Sequence, residues 1–88
     1  MYSYRNSDVA IFMIIFTQHA LEKLHQRHIM RELVVKTITE SDHNHTSYGD
    51  RAVSYKKFGK LHLVVVYRTE GVNLVVITAH WVARMKRK

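Results

Sequence analysis

LHLVVVYRTEGVNLVVITAH, residues 61–80, reads as two apolar strands joined at Glu70-Gly71-Val72, and it decides the fold. Both halves, Leu61 to Thr69 and Asn73 to His80, are apolar on alternate positions of either parity. That is the pattern of strands inside a sheet covered by helices. The gap between them is hairpin-sized, so they pair antiparallel. A third strand is expected just upstream, over Arg51 to Phe58, separated from the pair by Gly59-Lys60. It alternates charged and apolar residues, which places it nearer an edge.

Further upstream, Val9 to Phe16 (VAIFMIIF) is the longest apolar run, eight residues against the roughly 20 a membrane helix needs. Its β-branched and aromatic content predicts a buried strand, after which the period changes at Thr17, a helix-capping residue. From Gln18 to His28, Ala20, Leu21 and Leu24 make one apolar stripe. From Met30 to Thr39, Val34, Val35 and Ile38 make another, so two short amphipathic helices follow. Glu40 to Asp50 is polar and ends in Gly49-Asp50, a loop with a short strand available at His43 to Tyr48. Residues 1–8 show neither period and read as a loose arm, 9–82 as a single domain, and 83–88 (ARMKRK) as a basic tail. The expected architecture is α+β, with two N-terminal helices packed on a curved antiparallel sheet of about four strands.

At 88 residues there is room for one core, and with 47% apolar against 24% charged residues the chain has the composition of a folded globule. Fourteen Lys and Arg against seven Asp and Glu give a net charge of +7, and seven histidines add to it below their pKa. So strong a positive field on so small a body selects polyanionic partners. Cysteine is absent, which excludes disulfides and thiolate chemistry and fits a cytoplasmic location, with no membrane partner. A core this small also makes a homodimer a reasonable expectation.

Histidine supplies the candidate chemistry, since imidazole both takes and gives protons near neutral pH. His43-Asn44-His45 and His25-x-x-His28 each offer two metal ligands, yet no third or fourth spacing accompanies them. Solvated histidines are the preferred reading, and neither metal nor cofactor is assigned. His19 lies in the first turn of the first helix, where anions are attracted, and shares a face with Lys23 and Arg27. That row is equally an ordinary basic surface. On the last strand Leu74, Val76, Thr78 and His80 should point one way and Val75, Ile77, Ala79 and Trp81 the other. Tyr67, Arg68, Lys56 and Lys57 are further polar groups on neighbouring strands.

Phe16-Thr17-x-His19-Ala20 opens a helix, Arg27 comes eight residues after His19, and Ile29 precedes a second helix with Val34. Arg51, Lys57 and the LVVVY and LVVITA strands complete the order. Over about residues 13–82 the chain resembles the small "HA…R" domain family grouped with RelE/ParE-like and BrnT-like toxins. Two positions depart from the pattern, Lys23 standing for an arginine and Met30 for a polar turn residue. The resemblance implies a compact fold related to microbial RNases and toxin endoribonucleases. It also implies roles: His19 as base or acid, His80 as the second proton-transfer group and Tyr67 as a weaker candidate. Lys23, Arg27, Arg51, Lys57 and Arg84 would then contact nucleic acid. Three functions follow as expectations. The first is a toxin-like, metal-independent endoribonuclease of a toxin–antitoxin system, acting on RNA, free or on the ribosome, and restrained by an acidic antitoxin. The others are a non-catalytic nucleic-acid or ribosome-binding module and a gyrase-inhibitor-like toxin that grips a protein.

Overall fold

A computed structural model describes residues 13–46 and 51–83, together with the backbone pairing of 4–5 and 10–11. Arg84 with the rest of the basic tail, most of the arm over 1–8, and the turn at Gly49-Asp50 lie outside the described residues. The elements run β1 (Tyr4–Arg5), β2 (Ala10–Ile11), β3 (Met13–Phe16), α1 (Gln18–Gln26), α2 (Arg31–Thr39), β4 (His43–Thr46), β5 (Arg51–Phe58), β6 (Leu61–Glu70) and β7 (Asn73–Val82).

The α+β class with two helices against a sheet is as expected, and the main sheet has five strands in the order β3-β7-β6-β5-β4. Strands β4 to β7 return across the sheet by antiparallel neighbours. Gly59 and Gly71, at φ 66° and 64°, take the first central position of two two-residue turns. A type II′ loop asks for glycine there, because its positive φ costs an L side chain about 1 kcal/mol or more.

Two expectations about the first strand need correcting. It is parallel to β7 rather than antiparallel, because the two helices carry the chain from one sheet edge to the other before the meander comes back. It is also shorter than Val9 to Phe16. Its described part on β7 is Met13–Phe16, with Met13 paired to Asn73, the first residue of β7, while Val9 and Phe12 of the expected strand lie outside the described residues. Ala10–Ile11 instead pairs antiparallel with Tyr4–Arg5.

Helix α1 begins where the sequence places it: Thr17 Oγ1 accepts from the Ala20 amide at 3.0 Å and donates to the Val76 carbonyl at 3.4 Å. One side chain thus caps the helix and ties it to β7. The helix stops two residues early. His28 enters the left-handed region at φ 56°, its amide bonding to the His25 carbonyl while the Ile29 amide bonds to that of Leu24. This is a Schellman turn, and buried Leu24 and Ile29 supply its apolar contact. The stripe Val34, Val35 and Ile38 buries α2 against the sheet, and the buried Thr37 hydroxyl donates to the Leu33 carbonyl. The core joins these residues to Ile14, Leu63, Val65, Leu74, Val76 and Ala79.

Candidate functional site

The site arises from a bulge. Val66 pairs with Thr78 and Tyr67 with Val76, so β7 carries one extra residue, Ile77, against β6. Side-chain parity shifts by one there. Ala79 and Trp81 join Leu74 and Val76 on the helix-covered side, and His80 passes to the opposite face. The uninterrupted alternation expected for β7 therefore fails at Ile77. Complete burial of small Ala79 beneath the helix layer, on the Leu63 and Val65 side of the sheet, accounts for the shift. Thr78 and His80 stay on one side together, as their two-residue spacing requires.

Pairing between β3 and β7 ends at Phe16 and Val76, so among the described residues the outer edge of β7 has no strand partner from Ile77 onward. Arg27, the C-cap residue of α1, occupies this gap. Its guanidinium donates to the Ala79 carbonyl at 2.8 Å and to Thr78 Oγ1 at 3.3 Å. Both bonds come from one terminal nitrogen, and among the described residues the other N–H groups of the fork make no hydrogen bond. Among the described residues no carboxylate pairs with Arg27; the ion pairs are Lys56 with Asp42 and Arg68 with Glu70. His80 lies beside this cation. Burial, and then the charge of Arg27, hold its imidazole below the ordinary histidine pKa, so it is neutral near pH 7. A fixed guanidinium beside a neutral imidazole can bind an anion and accept a proton from it or from a neighbouring hydroxyl.

The other candidates do not converge on this point. His19 is exposed at the opposite end of α1, about 12 Å from Arg27 along the axis at 1.5 Å per residue. Lys23 lies between them, half-buried. Tyr67 is on the helix-covered face, its hydroxyl 3.0 Å from the Oγ of buried Ser54. Arg51 pairs with Arg68 at the far end of β5, two strands over and about 15–20 Å from His80. Lys57 is closer: it pairs with His62, which sits diagonally from His80 on the same face. Sequence reasoning passed over His62, whose Nδ1 is buried with no hydrogen-bond partner among the described residues. It also passed over Tyr55, whose ring stacks with His45. Strand parity alone puts both on the face of His80, once the bulge is known.

Residues 16–81 match the model of a family described as a domain of unknown function (DUF4258), and the chain belongs to that family. The match encloses every candidate site residue named from the sequence except Arg84. No curated protein and no solved structure matches the chain at a significant level. Among the described residues no helix is long and apolar enough to cross a membrane.

Proposed function

We propose that this member of the DUF4258 family is a toxin-like, metal-independent endoribonuclease related to the RelE/ParE-like and BrnT-like toxins. Its reacting phosphodiester would sit at the edge of β7 that Arg27 occupies. The observation that carries the reading is the Arg27 guanidinium, anchored on the Ala79 carbonyl, without a carboxylate partner among the described residues, and beside His80. In this reading the guanidinium binds the non-bridging phosphate oxygens and neutralises the charge that grows on them as phosphorus becomes five-coordinate. Neutral His80 takes the proton of the 2′-hydroxyl as its oxygen attacks phosphorus. The bond from phosphorus to the 5′ oxygen then breaks, and that oxygen receives a proton from the imidazolium or from water. The products are a 2′,3′-cyclic phosphate and a 5′-hydroxyl. His19 and Lys23, up to about 12 Å away along α1, would meet a phosphate one or two nucleotides along the strand. A protein partner with an acidic surface would compete with RNA for the same edge.

Incubating the protein with labelled single-stranded RNA in EDTA tests this reading. Wild type should cleave, and His80→Ala should lose about 100-fold or more in rate while retaining RNA binding. Arg27→Ala should lose rate and some affinity. Cleavage that survives in His80→Ala would overturn the assignment.

The second reading is a non-catalytic nucleic-acid-binding module, favoured by the separation of His19 from His80, which leaves one imidazole at the phosphate. It predicts salt-sensitive RNA binding and no cyclic-phosphate product under any of these conditions.

A further inference from the structure

The face of the sheet turned away from the helices carries four of the seven histidines of the chain: His43 and His45 on β4, His62 on β6 and His80 on β7. Register places three of its rows. His43 pairs with Tyr55, Tyr55 with Val64 and Val64 with His80, a line across four strands. Beside it run Lys57, His62 and Val82 on one side and His45, Val53, Val66 and Thr78 on the other. At about 4.8 Å per strand the first row is about 14 Å long, the reach of two to three nucleotides. It ends at the edge that Arg27 fills.

Aromatic geometry and charge select what this face can hold. The rings of His45 and Tyr55 stack with centroids 5.8 Å apart and planes inclined by 26°, and His45 is exposed. Lys57 and Arg51 belong to the same face and make no ion pair among the described residues. Glu70, the carboxylate on the described strands of this face, is taken by Arg68 at 2.8 Å. Two copies of such a face would repel one another, whereas a polyanion is attracted to it. A duplex keeps its bases stacked inside, so a ring pair with His45 exposed and Tyr55 half-buried suits a single strand.

We infer that this face is a track for single-stranded RNA, on which one base stacks against Tyr55 and His45 while the backbone runs from His43 to His80 over the side chains that flank Val64, itself only 5% exposed. The inference rests on the reading of the Arg27–His80 edge as the reacting site, since it supplies the path by which substrate arrives there. It requires that stacking and chemistry separate. Loss of Tyr55 weakens capture of the strand and leaves the groups at the phosphate in place.

Binding is measured on the His80→Ala protein, which removes cleavage from the assay, with a fluorescein-labelled uridine octamer followed by anisotropy. Tyr55→Ala and His45→Ala should each weaken binding about fivefold to tenfold or more, as loss of a base-stacking partner does, and Tyr55→Phe should restore it. An octamer annealed to its complement should bind more weakly than the single strand. On the background with His80 intact, Tyr55→Ala should raise KM with little change in kcat. Unchanged affinity in both alanine variants, with melting temperatures near that of the parent, would overturn the track even if the protein cleaves RNA. Weakened binding in a protein that never cleaves would keep the track and remove the reading of the edge as a nuclease site.

Discussion

Two side chains, Arg27 and His80, carry the functional reading, and each depends on a neighbour that holds it. Burial contributes more than Arg27 to the lowered pKa of His80. The Arg27→Ala variant should therefore raise the imidazole pKa, measured by proton NMR, yet leave it below the ordinary value of about 6.5. The sign for stability follows: the contribution of neutral His80 is complete above about pH 6.5 and is lost as pH falls toward its folded pKa. Cleavage by neutral His80 should persist through that window and fall at lower pH, as pH passes below the folded pKa itself. Tyr67 separates structure from chemistry at the same scale. Tyr67→Phe leaves the buried Ser54 hydroxyl without its partner, so it should cost about 1–2 kcal/mol in urea unfolding and leave the cleavage rate unchanged. Residue types were legible in the sequence, down to His80 and Arg27 as candidates. Their convergence was not, because it depends on a strand pairing that stops at Val76 and so exposes the carbonyl that Arg27 binds.

At the scale of elements, the termini of α1 aim the site. Thr17 fixes its start to Val76, and the turn at His28 fixes its end so that Arg27, the residue just before, reaches β7. A histidine at φ 56° is strained where glycine is not. His28→Gly should therefore stabilise the protein by about 1 kcal/mol, seen as a higher urea midpoint at unchanged slope. The Thr17 cap and the extents of β5 to β7 were readable because turn glycines and periodicity mark them locally. The bulge at Ile77 was not, since VVITAH alternates equally well in either parity and only burial of Ala79 decides between them. The parallel entry of β3 is likewise set by the route through two helices, which no local pattern encodes.

Across the whole molecule, a net charge of +7 over a small sheet-and-helix body makes polyanion binding the common ground of both functional readings. With Arg27, Lys23, Lys57 and Arg51 as the contacts, the logarithm of the RNA affinity should fall with the logarithm of salt at a slope of about −2 to −3, close to −0.7 per phosphate. Charge class was plain from composition, whereas the choice of face was not: it required knowing that both helices pack on one side and leave four histidines on the other. The claim that a phosphate binds between Arg27 and His80 is tested most directly by titrating the His80 imidazole with and without a 2′-O-methyl RNA octamer, which has no attacking hydroxyl. A bound phosphate favours the imidazolium, so the His80 pKa should rise clearly on addition of the octamer, and the rise should vanish in Arg27→Ala. Saturating binding with the His80 pKa unmoved would place the RNA elsewhere and contradict the account.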